Sequence, residues 1–600
     1  MDKKNTTIGV LLLIAAAVAF VWGQKNSREP ATPAQIQQAV AKADEKSGLP
    51  PPAPSSAVVQ PSLQTAFATA ATEHAGANIT TLENKFVRVA FTDFGGAVKT
   101  VSLLQYPAAL HSPDPFVFNE LHADPILAIV DFPGLDKATR YQLVSSTATE
   151  VVYRAVFNGT LEVTRRYVLS PDEVKLTDPY QIRTETTVRN LSDKASLPMR
   201  LGMALGSAAP ANALDNGLQL QAGYSNGSKQ DFTPRRSFEA GNGFFGIGAH
   251  EAKPSVETEG PIVWAMVEGQ FFTSILTPDE PAQQMVSRRV KLLTELPDAM
   301  VSAYGVTGTA QFDLKALAAH GSQTLGAQLY VGPKEYRRLA NADVFKKDQD
   351  KVMNYGLFKF FSQILVTLMT WMHGVVGNWG IAILLTTLFL KVIFLPLTLS
   401  ASRSAKRMQK LQPELKELKE KYKDNPQKQQ TATMELFKKH KVNPVGGCLP
   451  VLITIPFFFG FYKMLSSTAE LRFQSFLWAK DLTAPDTVFV IGHGSLPIIG
   501  SLPINILPIM LGVVMIFQMR LTPQPTVDNS QAKMMKFMPL MFMIFYYSYS
   551  CALALYSTAN GLFTIGQQLV INRMKDAPVT EAVVPPKGGR GVKNVTPKKK

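Results

Sequence analysis

The sequence predicts a multi-domain membrane protein: an α-helical membrane core of five spans plus an N-terminal anchor span, with an all-β sandwich domain between anchor and core. Three observations predict it. An apolar run lies close to the N-terminus, short alternating strands fill residues 78–335, and after about Lys351 the chain carries apolar segments long enough to cross a bilayer of about 30 Å. With 600 residues and 40 prolines the chain is too long for a single core.

Thr7 to Trp22 is apolar, with Lys3 and Lys4 before it and Lys25 after it, the layout of a signal peptide or signal anchor. Cleavage after Ala19 is conceivable, but apolar character continues through Phe20, Val21 and Trp22, and a tryptophan suits the membrane interface, which favours an uncleaved anchor over residues 1–24. Residues 25–77 are rich in Ala, Pro, Gln and Ser, including Pro50, Pro51, Pro52 and Pro54, and read as a disordered tether. Beyond it, Val87, Val89 and Phe91 alternate as in a half-buried strand, and Asn158-Gly159 between Tyr153–Phe157 and Leu161–Tyr167 signals a hairpin. Such signals continue to about Val331, giving one large antiparallel β domain over 78–335.

Residues 352–375, with Lys359, Gln363 and His373 among apolar neighbours, read as an amphipathic helix in the interface. Span 2 is expected over 378–399, a basic helical hairpin over 400–446, spans 3 to 6 over 447–573, and a basic tail over 574–600. The later spans are placed at Gly447–Leu465, Leu502–Arg520, Met534–Ser550 and Leu553–Ile571, the last two forming a tight membrane hairpin. The loop 400–446 holds twelve Lys or Arg against five acids, so a positive-inside arrangement puts it, both termini and the tail in the cytoplasm and exports the β domain.

Composition excludes several classes. There are 61 Lys plus Arg against 46 Asp plus Glu, a net charge of +15 gathered in a few places. The two cysteines, Cys448 and Cys551, stand far apart in apolar surroundings and read as packed thiols. No Walker loop, dinucleotide fingerprint or HExxH helix occurs, so no catalytic residue, metal site or cofactor is expected.

Lys391 is the most informative residue, because a charge at membrane depth costs roughly 2.5–3.5 kcal/mol and marks a functional site by default. Snorkelling is the alternative: Leu399 is eight residues away, about 12 Å along a helix, which the side chain covers only in part. Thr387 and Thr398 share its face, and the last span offers a matching stripe of Tyr556, Asn560, Thr564 and Gln567. Polar stripes also serve helix packing, but two of them with a lysine favour a hydrated groove. None of the five later spans contains Asp or Glu, so the cation wants water or a visiting anion such as the polar tail of a client chain. In the hairpin, Leu411, Leu415 and Leu418 line one side, Glu417 and Lys421 are spaced as an i, i+4 pair, and Asp424-Asn425-Pro426 makes the turn. Its charge suits acidic lipid, ribosomal RNA or a protein partner, or simply a solvated loop. The tail Lys587–Lys600 can meet nucleic-acid phosphates only without sequence specificity.

Several of these segments together resemble the YidC insertases. They are Lys441-Val442-Asn443-Pro444-Val445-Gly446-Gly447-Cys448-Leu449-Pro450, Pro396-Leu397-Thr398, Leu411-Gln412-Pro413, Gln567-Gln568 and Tyr330-Val331-Gly332-Pro333-Lys334. The resemblance covers nearly the whole chain and implies a bacterial inner-membrane insertase and chaperone with its β domain, a mutarotase-like β-supersandwich, in the periplasm. It implies that Lys391, where many members carry arginine, engages a client's polar tail in a groove with Thr387, Asn560, Thr564 and Gln567. Lysine keeps the charge but loses the bidentate fork. It further implies a hydrophobic client slide of Ile455, Phe458 and Tyr556, with Ser557 where some members have a second tyrosine. Arg403, Lys406, Arg407, Lys419 and Lys421 are the expected recruiting residues of the hairpin. The partners implied are nascent membrane proteins, the Sec translocon, ribosome–nascent chain complexes and membrane lipids. Two other functions fit the residues less well: a secondary transporter with an exported capture domain, and an exported carbohydrate enzyme with a membrane anchor.

Overall fold

The computed structural model describes residues 74–573 except 75, 122–123, 133, 136–137, 173–176, 213–214, 216, 242–250, 293–303, 347, 424, 441–448, 497–499 and 522–529. The expected anchor, almost all of the tether, the tail, Asp424 and the Lys441–Cys448 motif lie outside the described residues. Two compact units emerge, one from 1–386, 454–506 and 546–554, the other from 387–453, 507–545 and 555–600.

In the first unit the β domain forms as its alternation requires. Val87, Val89 and Phe91 turn inward, and Phe91 packs on Tyr167 with ring centroids 5.0 Å apart. A nine-stranded antiparallel sheet runs from Gln230–Pro234 at one edge to Gln142–Ser146 at the other, with Ser322–Pro333 near its middle. A five-stranded sheet contributes Met199–Ala208 and Tyr304–Leu314, which face Trp264–Glu268 and Phe272–Pro278 of the large sheet and make the sandwich. A third sheet of four strands begins at Ile79–Glu83 and ends at Pro115–Phe118. The turn at Asn158-Gly159 takes left-handed φ values of 47° and 65°, which is why those residue types stand there. Lys334, closing the last strand, is buried and pairs with Glu268 at 3.1 Å, and burial pushes the Glu268 carboxyl up.

Helix α1, Lys359–Val376, follows two 3-10 turns and starts later than the sequence suggests. Ser362, Leu365, Val366 and Met369 form its buried face, while Phe360, Trp371 and Val375 are exposed, so the helix packs on one side and leaves apolar side chains open on the other. Gly377 ends it in the left-handed region (φ 67°), and Asn378 Oδ1 accepts from Ile381 N to start the next helix. That helix, α2, runs unbroken over Trp379–Lys410, so the segment expected as span 2 (378–399) and the first residues of the segment expected as the hairpin (400–410) are one element. It is the one helix among the described residues that is both long and apolar enough to cross a membrane.

Helices α3 (Gln412–Lys421) and α4 (Pro426–Lys439) form the expected hairpin around buried Leu411, Leu415 and Phe437, with Asn425 capping α4 through Lys428 N. Leu418 is only half-buried. Glu417 and Lys421 make no ion pair with each other; the Lys421 ammonium instead lies 5.7 Å from the half-buried Tyr422 ring.

Helix α5 spans Leu449–Leu465. After it, Ser466 O accepts from Gln219 and Gln270, Arg472 Nη2 donates to Ala108 O at 2.8 Å, and these bonds tie the segment to the β domain. Glu470 sits there beside Glu335 with its Oε2 buried and without a hydrogen-bond partner; burial, then the Glu335 charge, pushes its carboxyl up to about 8. Leu502–Asn505, expected to open a span, belongs instead to a strand, Gly500–Asn505, paired with Thr487–Leu496; Pro503 has no N–H to donate, which the edge of a two-stranded ribbon tolerates. Helices α6 (Ile506–Leu521), α7 (Ser530–Tyr546) and α8 (Cys551–Arg573) complete the core. The expected end of span 5 at Ser550 shortens to Tyr546, leaving a four-residue turn before α8. Cys551 is a free, buried thiol on Asp481 O, as its apolar context suggests.

Candidate functional site: a polar track along two helices

Within the second unit α2 and α8 are joined by polar rungs. Lys391 Nζ donates to Thr564 Oγ1 at 2.7 Å, and that hydroxyl donates on to Asn560 O at 2.7 Å. Two turns along α2, Thr398 Oγ1 accepts from Gln567 Nε2 at 2.6 Å while bonding back to Phe394 O. Further on, Lys406 Nζ donates to Ile571 O at 2.9 Å. The partners rise together in number along both helices, so α2 and α8 run parallel here. Helical spacing explains the register: Lys391 and Thr398 are seven residues apart and share a face, as do Thr564 and Gln567 at three.

The chemistry of the track is that of a partly satisfied cation. Among the described residues Lys391 has one hydrogen-bond partner and no carboxylate in ion-pair range, so its ammonium has donor capacity left for a carboxylate or for water. Lys391 is half-buried, whereas Val392 and Ile393 beside it are exposed apolar residues, so the polar face and an oily face adjoin on the same turn. Pro396, inside α2, leaves the Val392 carbonyl without its helical donor and adds a further polar group on that stretch.

Of the expected groove residues the structure joins Lys391 to Thr564, while Gln567 bonds Thr398 farther along α2; Asn560 enters only through its backbone carbonyl, and Thr387 is buried one turn before Lys391 on α2. The expected slide residues differ in exposure: Ile455 is 40% exposed, Phe458 is half-buried against Phe459, and Tyr556 is 4% exposed, packed away instead of presented. Of the hairpin cations, Arg407 and Lys421 are exposed, Lys419 is half-buried, and Arg403 lies within α2. Lys406 is engaged with α8. Its bond to a last-turn carbonyl was not foreseen, although a cation near a helix C-terminus is favoured on general grounds.

The same two regions carry the likeness to known proteins. Residues 79–368 match the family model described as the YidC periplasmic domain, and residues 371–578 match the one described as 60Kd inner membrane protein. A Syntrophobacter fumaroxidans protein described as membrane protein insertase YidC is 31% identical over 420 residues, covering 69% of each chain. The chain belongs to the YidC family. Relatives of the same description from Oleidesulfovibrio alaskensis and Pasteurella multocida extend the match to nearly the whole length. They are 29% and 28% identical and cover 95% and 96% of this chain and 99% and 98% of theirs. Membership in YidC makes this an inner-membrane protein of an insertase family and not an enzyme, so the transporter and carbohydrate-enzyme readings fall away.

Proposed function

We propose that this insertase lowers the barrier to membrane entry by offering the polar flank of a client segment the Lys391 track while the client's apolar part moves directly into lipid. The observation that carries the reading is the Lys391–Thr564 bond, with no carboxylate of the described residues in ion-pair range, on a stretch of helix whose next residues are apolar and exposed. Transfer of apolar client surface into lipid is favourable by about 25 cal/mol per Å², so no fuel is needed; the charged flank is the obstacle. A fixed cation with spare donors meets an acidic flank part-way.

In this reading α2, α5, α6, α7 and α8 are the five later spans and residues 1–24 the anchor, which leaves the hairpin and both termini in the cytoplasm. The parallel course of α2 and α8 supports that topology, since three spans, an odd number, lie between spans 2 and 6. Arg407, Lys419 and Lys421 on the hairpin then face ribosome–nascent chain complexes or anionic lipid. Partnership with the Sec translocon belongs to the same proposal. Ile455 and Phe458 provide the apolar surface along which a client segment moves, and Tyr556, buried within α8's packing, does not touch the client.

The test is insertion of a single-span client with an acidic tail into proteoliposomes holding the native chain, Lys391→Ala or Lys391→Arg. Alanine is expected to reduce insertion by about tenfold, the worth of roughly 1.4 kcal/mol of charge-assisted hydrogen bonding, and arginine to retain it. Equal insertion by all three reduces Lys391 to a packing residue.

A further inference from the structure

The ribbon between α5 and α6 has no counterpart in the function proposed above. Its nineteen residues, Thr487–Asn505, contain no Asp, Glu, Lys or Arg. Val488, Phe489 and Ile491 are 49%, 55% and 44% exposed. An isolated two-stranded ribbon is at best marginal in water, and one bathed in water normally turns a polar face outward.

The polar contacts gather at its base. Thr487 Oγ1 donates to Asn505 Oδ1 at 2.7 Å, Asn505 Nδ2 donates to Tyr547 O at 2.6 Å, and Tyr547 OH donates to Pro503 O. Trp478, partly exposed, donates its indole N–H to Asp486 Oδ2 at 2.9 Å, immediately before the first strand, and neighbouring Leu477 is exposed. The ribbon is thus held by polar bonds at its root, while the side chains just beyond the root, Val488, Phe489 and Ile491, are apolar and exposed. The chain leading to it is bonded to the β domain through Ser466 and Arg472, so it emerges on that domain's side of the membrane; its second strand passes directly into α6 at Ile506.

We infer that this hairpin is a shallow lipid anchor: Val488, Phe489 and Ile491 lie among the acyl chains of the leaflet on the β-domain side, and Trp478 sits at headgroup level. Continuity with a membrane helix identifies the occupant as lipid, because the strand that feeds α6 must reach the bilayer surface wherever α6 enters it. The missing charge points the same way. Apart from His493, no residue of the ribbon can offer a headgroup or a polar protein an ionic contact, and tryptophan with one end hydrogen-bonded and the other apolar is the residue favoured at the interface. The inference rests on α5 and α6 crossing the bilayer but not on the Lys391 mechanism.

The experiment uses the full chain with Cys448→Ser, so that the remaining native thiol is buried Cys551. Phe489→Cys carries an environment-sensitive NBD label, and the protein is reconstituted into phosphatidylethanolamine–phosphatidylglycerol vesicles without any client. Quenching by lipids spin-labelled at acyl carbon 5 is compared with quenching by aqueous iodide. Lipid quenching several-fold stronger than iodide quenching is expected, with the opposite order for a label at exposed Ser145→Cys in the β domain, which also reports folding. If Phe489→Cys does not reconstitute, Ile491→Cys gives the same readout. Iodide quenching at the ribbon, or shielding from both quenchers, overturns the inference. Since no client is present, either result leaves the insertion assay to decide the role of Lys391.

Discussion

Glu470 shows how much one carboxyl in the wrong surroundings weighs. Its ordinary value is near 4.5, and in the folded chain it rises to about 8 because burial opposes ionisation and Glu335 lies close by. Tyr106 and Arg338 both donate to Glu335, and Arg338 also holds Asp178 at 2.6 Å, so the neighbouring charges are already spoken for and do little for Glu470. A raised folded value means that the folded state binds the proton more tightly. The stabilisation is therefore fully present below pH 4.5 and is lost as pH rises towards 8. Thermal unfolding of the full chain should show falling stability across that window, and Glu470→Gln should flatten the profile. At pH 8 the variant should melt higher, by roughly 2–4 °C for each kcal/mol relieved. An unchanged pH profile would mean that Glu470 is solvated.

Among the elements, the helices of the second unit pack through small residues. A Cβ built on Gly561 of α8 would come within 2.5 Å of Val514 Cγ1 on α6, and one on Gly512 would meet Met543 Sδ on α7 at 3.2 Å. Close approach of backbones is the main source of helix association where lipid removes the hydrophobic drive. Gly561→Leu is expected to separate α6 from α8 and destabilise the helical core by about 1–3 kcal/mol, seen as a lower detergent or urea midpoint, whereas Gly566→Ala, with open space around it, should be silent.

Legibility in the sequence followed the same physics. Wherever a period repeats against one environment the elements were readable: Val87, Val89 and Phe91 in the strands, the Thr564 and Gln567 stripe on α8, Leu411 and Leu415 in the hairpin. Leu502–Asn505 was not, because a short continuous apolar run looks alike in a strand and in a helix, and its true partner lies in Thr487–Leu496. Tyr556 belongs to the stripe by spacing, yet burial removes it from any exposed surface. Periodicity gives a face, not what covers that face. The same gap hid the Lys334–Glu268 pair and the bond from Lys406 to Ile571, contacts between residues 66 and 165 positions apart.

For the whole molecule, the division into two compact units has an energetic meaning. Lys391 and its partners all lie in the second unit, while the β sandwich lies in the first. Substitutions distant from one another and without shared partners add independently. Lys391→Ala should therefore leave the protease resistance and unfolding temperature of the β domain unchanged even as insertion falls, and a joint loss would show that the units unfold as one.

The parallel run of α2 and α8 has one more consequence. Lys406 reaches the last turn of α8, so the hairpin's root and the start of the chain's final segment, beyond Arg573, stand at the same end of the bundle. The basic residues that follow Arg573 in the sequence are therefore joined to the chain at the same end as the cations of the hairpin. If both meet one polyanionic surface, the second arm engages at an effective concentration set by the length of chain between them. Removal of residues 574–600 should then weaken binding of the full chain to anionic vesicles by more than the removed charge alone accounts for, and a loss no greater than that would show that the two arms act separately.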